Sequence, residues 1–314
     1  MTSTLGHQTS AAALAKAGWA ALPPAYRFPE TTPSLAEAEA YCRRLAASHY
    51  ENFSVATWFL PRRLRPHFHC LYAYCRISDD LGDEVGNGEQ SLALLDEWEA
   101  ELDATYRGHP RHPVFVALWK TICQCDIPKK PFADLLKAFR QDQTTTRYQT
   151  LEDLLQYCVN SANPVGHLVL YACGYRDEER QRLSDYTCTG LQLANFWQDV
   201  ATDYQKGRVY LPLEHMHRYG VAEAVIAEKT STDEFKRLMA FEVAAAREWF
   251  ERGLPLSKMV DRDLAVDLEL FTRGGQEILN AIQRRSFDVL TGRPVISKPR
   301  KLALVARAVL GKLF

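Results

Sequence analysis

Residues 65–84 read RPHFHCLYAYCRISDDLGDE, an apolar segment that ends in a cluster of carboxylates. Apolar residues recur there every three or four positions, which is the period of an α-helix with one buried face. The helical period returns in most of the chain, and few segments alternate as strands do. Those further segments are 35–47, 90–107, 114–125, 132–145, 151–172, 180–203, 233–252, 264–290 and 301–313. We therefore predict an all-α protein.

The 314 residues are 46% hydrophobic and 25% charged, the proportions of an ordinary globular protein. The chain has neither a long Gly/Ser/Pro linker nor a repeat of solenoid period. We therefore predict one helical domain over residues 31–314. Residues 1–30 contain Pro23-Pro24 and show little periodicity, so we predict a flexible lead-in there.

Charge and composition argue against several classes of function. The formal net charge is -1, whereas nucleic-acid binding depends on a surplus of Lys and Arg. No apolar run approaches the roughly 18 residues of a membrane span, and the Ala-rich start lacks the basic leader of a signal peptide, so we predict a cytoplasmic protein. The cysteines and histidines show no zinc-binding spacing, and no GxGxxG loop indicates a nicotinamide cofactor.

Two groups of oxygen donors stand at helical spacing. Asp79 and Asp83 are four residues apart, as are Asn195, Asp199 and Asp203, so each group lies on one helical face. Like charges at this spacing cost an isolated helix about 0.2–0.5 kcal/mol. Mg²⁺ offsets that cost, because it prefers oxygen ligands and joins one or two carboxylates to substrate phosphates. We predict that the two groups hold a metal diphosphate; the alternative is a solvated acidic helix end.

Basic residues beside these groups complete a predicted anion site. Arg76 precedes Asp79 by three positions, and Arg208 and Tyr210 follow the second group. A diphosphate leaving group needs cations and hydrogen-bond donors where its charge develops. The alternative for each arginine is a salt bridge to a neighbouring aspartate.

The acidic groups lie in stretches that resemble the two motifs of the squalene/phytoene synthase family, DDxxD and QLxNxxxDVxxDxxxGRxYLP. Residues 79–83 read DDLGD, and residues 192–212 read QLANFWQDVATDYQKGRVYLP. Further matches are LYAYCR at 71–76, Tyr157-Cys158 followed by Val165-Gly166, and Asp142 before RYQT. The resemblance spans roughly residues 40–305.

This resemblance implies the isoprenoid-synthase fold, a class I terpenoid synthase helical bundle with a central apolar cleft and two facing acidic helices at its mouth. It also implies a prenyl diphosphate substrate and about three Mg²⁺ ions. The implied metal ligands are Asp79, Asp83, Asn195, Asp199 and Asp203, which with Tyr157 form the implied catalytic set. The implied substrate-binding residues are His49, Tyr50, Asn52, Phe53, Arg76, Asn163, Gln192, Gln198, Arg208 and Tyr210.

Departures from the family pattern narrow the assignment. Gln198 and Thr202 stand where the family usually has Arg and Glu, and residues 49–53 read HYENF in place of an HSxSF-type segment. The combination is most similar to the hydroxysqualene synthase branch of bacterial hopanoid biosynthesis. That branch removes diphosphate from presqualene diphosphate and captures the rearranged carbocation with water. We predict that Tyr50, Asn52 and Gln198 position this water; the alternative is that each is a hydrogen-bonded helix residue.

Aromatic residues are candidates for stabilising the carbocation, although aromatic side chains at helical spacing commonly form a plain core. These candidates are Phe53, Trp58, Tyr74, Tyr157, Phe196 and Trp197.

Two other functions stay open at this point. One is the condensation of two prenyl diphosphates into presqualene diphosphate, squalene or phytoene, and the other is a non-catalytic role as an assembly scaffold. The basic amphipathic segment 298–314 is predicted either to rest on an anionic membrane surface or to pack as a final helix. A hopanoid-pathway oxidoreductase is the implied downstream partner.

Overall fold

The computed structural model describes the backbone of residues 3–48 and 61–313, and the side chains of residues 11–48, 61–304 and 306. The predicted all-α class is confirmed, because these residues form fourteen α-helices and two short 3-10 helices, and their β-structure is limited to one isolated bridge. The α-helices are α1 (Ser3–Ala21), α2 (Leu35–Ser48), α3 (Arg65–Asp83), α4 (Gly88–Tyr106), α5 (Pro113–Cys125), α6 (Lys130–Gln141), α7 (Leu151–Ser161), α8 (Asn163–Ala172), α9 (Glu178–Gln205), α10 (Leu213–Tyr219), α11 (Glu223–Ala227), α12 (Asp233–Gly253), α13 (Arg262–Arg284) and α14 (Lys298–Leu313). The 3-10 helices are Pro24–Tyr26 and Leu254–Lys258.

The helices group into two compact units, whereas the sequence pattern favoured one shared core. The N-terminal unit comprises residues 1–144 and 168–175, and the C-terminal unit comprises residues 145–167 and 176–314. Each acidic motif belongs to its own unit, the first to the N-terminal unit on α3 and the second to the C-terminal unit on α9.

Interlocked aromatic rings form the core of the N-terminal unit. Tyr74 of α3 is fully buried and contacts Trp98, Phe115 and Phe132 at ring-centroid distances of 6.4, 5.8 and 4.9 Å. The Tyr74 hydroxyl donates a hydrogen bond to the carbonyl of Phe132 at 2.9 Å, so its polar group is satisfied inside the core. Tyr74 is therefore a packing residue that fixes α3.

The prediction of a flexible lead-in over residues 1–30 is wrong from Ala11 onward. Ala15, Trp19, Leu22 and Tyr26 are all buried, at spacings of four, three and four residues. The Trp19 indole N–H donates to Glu97 on α4 at 2.6 Å. This periodicity is weak in the sequence, because alanine and other small residues on the other faces of α1 give little contrast between buried and exposed positions.

Two predicted helices end earlier than their apolar pattern. Residues 151–172 form α7 and α8, because Pro164 lacks the N–H that a continuous helix needs and stands in the first turn of α8. The predicted helix 264–290 ends at Arg284, where Ser286 and Phe287 take left-handed backbone angles with φ of 53° and 64°. Residues 285–297 therefore form a turn, bends and irregular backbone before α14 begins.

Helix α9 of the C-terminal unit is held by close packing against α12 and α13. The Phe250 ring lies 3.3 Å from where a Cβ on Gly190 would stand and less than 3.0 Å from where one on Gly275 would stand. Both glycines thus make room for one aromatic side chain. This packing fixes the helix that carries the second acidic motif.

The final helix α14 packs on α13 within the C-terminal unit, and Arg300 forms a 2.8 Å ion pair with Glu277. Leu302 is exposed. Among the described residues, none of the helices is long and apolar enough to cross a bilayer.

Candidate active site

The last two turns of α3 carry the first acidic motif. Asp79 and Asp83 lie one turn apart on the helix and are half-buried, whereas Ile77 and Leu81 on the other side are fully buried. The packing of Ile77 and Leu81 turns the two carboxylates toward the surface of the unit. The predicted common face of Asp79 and Asp83 is therefore present.

Asp80, between them, has a different environment. Its buried carboxylate accepts hydrogen bonds from the Tyr26 hydroxyl at 2.7 Å and from Arg76 Nε at 3.0 Å, and a second guanidinium nitrogen of Arg76 contacts its other oxygen. Burial raises the pKa of Asp80, while the contacts with Tyr26 and Arg76 oppose that rise. Arg76 also lies 3.6 Å from Asp79. The salt-bridge alternative for Arg76 is thus observed, with Asp80 as its main partner.

Tyr26 was not predicted as a site residue. Burial, followed by the hydrogen bond to Asp80, raises the pKa of Tyr26 to about 12, so the residue is a neutral hydroxyl donor. The backbone carbonyl of Tyr26 is in turn bonded by the buried ring of His112 at 3.1 Å. The spacing of Ala15, Trp19, Leu22 and Tyr26 could have identified it as buried, but no motif indicated its partner.

Further hydrogen bonds fix the end of α3. Trp98 Nε1 donates to Ser78 Oγ at 2.9 Å, and Gln143 Nε2 donates to the carbonyl of Gly82 at 3.0 Å. Side chains that are held in this way change position little when charge develops nearby. These contacts hold in place the last two turns of α3, which carry the first motif.

The second acidic motif forms a polar stripe on α9. Asn195 is exposed and Asp199 and Asp203 are half-buried, while Leu193 and Trp197 are buried. The stripe has the i, i+4, i+8 spacing that the sequence predicted, within one unbroken helix.

An arginine that the sequence analysis did not identify binds the centre of this stripe. Arg293 forms a two-nitrogen fork on Asp199, with Nη2 2.9 Å from Oδ2 and Nε in contact with Oδ1. Arg293 also donates to the Gln198 side-chain oxygen at 3.1 Å, and Gln198 donates to the carbonyl of Pro294 at 2.6 Å. The Gln198 amide thus uses both ends within the protein, as in the hydrogen-bonded alternative. No motif marks Arg293, because it lies 94 residues from Asp199.

The loop after the second motif is held by backbone pairing. Gly207, with φ of 81°, ends α9, and the Val209 N–H then donates to the carbonyl of Thr146 at 2.9 Å. Arg147 forms a fork on Glu223 at 2.7 and 2.9 Å and donates to the carbonyl of Gly207 at 2.6 Å. Arg147 and Glu223 therefore form a clamp on the loop that carries Arg208 and Tyr210.

An aromatic cluster adjoins the loop. Tyr210 stacks on Phe196 at a centroid distance of 3.9 Å and an interplanar angle of 12°, and Tyr157 lies 6.0 Å from Tyr210. Tyr148, which was not predicted, stacks on Tyr210 at 5.9 Å. Two predicted site residues, Tyr157 and Tyr210, are therefore together beside the second motif.

The remaining predicted residues differ in position. Asn163 is buried and its side-chain oxygen accepts a hydrogen bond from Thr189 at 3.1 Å, between α8 and α9. Gln192 is half-buried on α9, and Trp197 is 1% exposed. Other predicted residues lie outside the described part of the chain. They are His49, Tyr50, Asn52, Phe53 and Trp58.

The donor chemistry fits Mg²⁺ in company with a substrate. All five predicted ligands present hard oxygen atoms, and Mg²⁺ takes one or two carboxylates together with waters and phosphate oxygens. Among the described residues, no three His, Cys, Asp or Glu side chains are grouped closely enough to hold an ion.

Comparison with known proteins identifies the family. The squalene/phytoene synthase model matches residues 46–300. The chain belongs to the squalene/phytoene synthase family. Members of this family are enzymes that act on prenyl diphosphates.

Solved structures and curated relatives agree with this. The crystal structure of squalene synthase HpnC from Alicyclobacillus acidocaldarius is similar at 42% identity and a TM-score of 0.78, over 86% of this chain and 99% of that one. A dehydrosqualene synthase in complex with ligand aligns at 27% identity and a TM-score of 0.81, over 89% of this chain and 98% of that one. A 15-cis-phytoene synthase of Synechococcus elongatus is 28% identical over 88% of this chain and 94% of its own length. These similarities confirm the isoprenoid-synthase fold.

Proposed function

We propose that this family member converts presqualene diphosphate to hydroxysqualene by loss of diphosphate, rearrangement of the carbocation and capture of water. The observation that carries the proposal is the polar stripe of Asn195, Asp199 and Asp203 beside the clamped loop of Arg208 and Tyr210. The 42% identity with a squalene synthase supports the substrate class. The departures at 49–53 and Gln198 from the usual family pattern support water as the final reactant.

Each motif has a separable task in this proposal. Asp79, Asp83, Asn195, Asp199 and Asp203 would hold Mg²⁺, which supplies Lewis-acid neutralisation of the departing diphosphate. Arg76, held by Asp80 and Tyr26, supplies a fixed positive charge near the first motif. Arg208 is presented by a loop that Arg147 and Glu223 hold in place.

The aromatic cluster and the candidate water-binding residues act after ionisation. The faces of Phe196, Tyr157 and Tyr210 offer stabilisation of about 0.5–2 kcal/mol to a nearby cation. Tyr50 and Asn52 are the proposed positioners of water. Gln198 joins them only when it gives up its hydrogen bonds to Arg293 and Pro294.

A second candidate function rests on the names of the relatives. Squalene, dehydrosqualene and phytoene synthases condense two prenyl diphosphates, so condensation to presqualene diphosphate, squalene or phytoene is the alternative. The acidic motifs serve both reactions, because each begins with the ionisation of a diphosphate.

Product identification tests these functions against each other. Purified full-length enzyme is incubated with Mg²⁺ and either presqualene diphosphate, farnesyl diphosphate or geranylgeranyl diphosphate, with and without NADPH. We expect hydroxysqualene from presqualene diphosphate without NADPH, and none from Asp199→Asn. Consumption of farnesyl or geranylgeranyl diphosphate alone would replace our assignment with condensation. Absence of diphosphate release from every substrate would favour the scaffold role.

The fate of the product suggests two partners. An anionic membrane surface could receive the lipid product through the exposed Lys298, Lys301 and Leu302 of α14. Replacement of the new hydroxyl group by hydrogen requires a two-electron reduction, so an oxidoreductase is the expected next enzyme. Sedimentation with phosphatidylglycerol vesicles tests the first: a Lys298→Gln/Lys301→Gln variant should remain in the supernatant.

A further inference from the structure

The irregular segment after α13 contacts the second acidic motif. Residues 292–295, which we name the strap, follow the buried Val289 and Leu290 and precede α14. Pro294 is buried in the strap and Val295 is 64% exposed. The strap is thus anchored by buried residues before it and by Pro294 within it, while Val295 faces solvent.

The strap contacts the motif through its polar groups. The Arg293 guanidinium bonds both carboxylate oxygens of Asp199, and it shares Gln198 with the carbonyl of Pro294. Planar two-nitrogen pairing of this kind is among the strongest and most directional of side-chain interactions. A cation that bound Asp199 through the same oxygens would have to displace it.

The contact between Arg293 and Asp199 also offsets the repulsion between two carboxylates of α9. Asp199 and Asp203 stand one turn apart on one helical face, where like charges repel. Arg293 interacts with both of them electrostatically and forks on Asp199. The guanidinium therefore gives the stripe a positive partner of the kind that Mg²⁺ would supply.

We propose that Arg293 is a positioning residue that pairs with Asp199 as long as no metal is bound. Metal binding then displaces Arg293 from Asp199 and releases the strap from the motif. This inference rests on the proposed function, because it takes Asp199 to be a metal ligand. Arg293 acts through Asp199, and opening of the strap also frees Gln198.

Mn²⁺ binding to the full-length protein tests the competition directly. Binding is measured by electron paramagnetic resonance and calorimetry with Mn²⁺ alone, without diphosphate, so that no anion contact of Arg293 enters. We expect Arg293→Gln to bind Mn²⁺ about tenfold more tightly than wild type, equivalent to about 1.4 kcal/mol. Arg293→Lys should fall between the two, because lysine keeps the charge but lacks the fork.

The matched control is Arg300→Gln. Arg300 has a side-chain exposure of 51%, against 52% for Arg293, and it pairs with Glu277 instead of the motif. Arg300→Gln removes one positive charge from the C-terminal part of the chain, as Arg293→Gln does. We expect it to leave Mn²⁺ affinity at the wild-type value, and an equal gain in both variants would overturn the proposal in favour of a general charge effect.

Hydrogen–deuterium exchange supplies a readout other than binding. Amides of residues 292–297 should exchange faster in wild type when Mn²⁺ is added, and Arg293→Gln should show that faster exchange before addition. If Asp199→Asn abolishes Mn²⁺ binding but Arg293→Gln binds no more tightly than wild type, the strap proposal fails and the metal site stands. If Asp199→Asn leaves Mn²⁺ binding unchanged, both the strap proposal and the proposed metal ligands fail.

Discussion

Replacement of Arg147 by glutamine removes the clamp on the loop that carries Arg208 and Tyr210. The substitution breaks the fork on Glu223 and the bond to the carbonyl of Gly207. The paired side chains are 28% and 37% exposed, so solvent screening limits the ion pair to about 1 kcal/mol. The lost bond to the carbonyl adds about 1 kcal/mol. We therefore expect Arg147→Gln to destabilise the loop by about 2 kcal/mol.

Substrate binding should report this change more strongly than global stability. If the loop must be ordered to bind diphosphate, part of the loss appears in binding, and we expect KM to rise about tenfold, or about 1.4 kcal/mol. Steady-state kinetics with presqualene diphosphate measures KM and kcat, and differential scanning calorimetry measures Tm. Arg147→Lys should recover part of the KM. Arg237→Gln, which breaks an exposed pair with Glu234, is the matched control and should change neither quantity.

The clamp also has a defined pH dependence. The hydrogen bond from Arg147 lowers the pKa of Glu223 below its ordinary value of 4.5. A lowered carboxyl pKa contributes stability that is present above pH 4.5 and is lost as the pH falls through the lowered value. The stability difference between wild type and Arg147→Gln should therefore be about 2 kcal/mol at neutral pH. It should fall to about 1 kcal/mol as the pH drops through the lowered pKa of Glu223, because the bond to the Gly207 carbonyl does not titrate. A lower Tm with KM within twofold of wild type would refute the clamp as a device that orders the loop.

Two further predictions concern the frame around each motif. Tyr26→Phe removes one hydrogen bond from the buried carboxylate of Asp80, so we expect a loss of about 1.5–3 kcal/mol in the free energy of unfolding, measured by urea denaturation; a loss below 0.5 kcal/mol would contradict the role of Tyr26. Gly275→Ala places a Cβ less than 3.0 Å from the Phe250 ring and should cost about 1–3 kcal/mol, whereas Gly274→Ala in open space should be neutral or stabilising. Equal effects of the two glycine substitutions would show that this packing does not hold α9.

Features set by neighbours along the chain could be predicted from the sequence. The acidic stripes follow from spacing alone, because residues four apart share a helical face. Thr150 caps α7 in the same local way, since its hydroxyl accepts the N–H of Asp153 and Asp153 bonds back to the N–H of Thr150. Such features need no knowledge of how distant segments meet. They suffice for the fold class and for the candidate donors.

Features that join distant segments could not be predicted in this way. The contact between Tyr26 and Asp80 spans 54 residues, and that between Arg293 and Asp199 spans 94. Neither Tyr26 nor Arg293 stands in a pattern that indicates a partner. These contacts depend on how distant segments pack together, and the spacing of residues along the chain does not determine that packing.

The two motifs obtain a positive partner for their carboxylates in different ways. Each motif places carboxylates one turn apart, and each includes an aspartate that is forked by an arginine. In the first motif the arginine is Arg76, four residues before its partner Asp80 on the same helix, so spacing alone suggests the pair. In the second motif Gln198 stands where the family usually has an arginine, and the guanidinium comes instead from Arg293. The same need for positive charge is thus met locally on α3 and by a distant residue on α9. Arg293 lies on irregular backbone between α13 and α14, so its release from Asp199 does not require a helix to unwind.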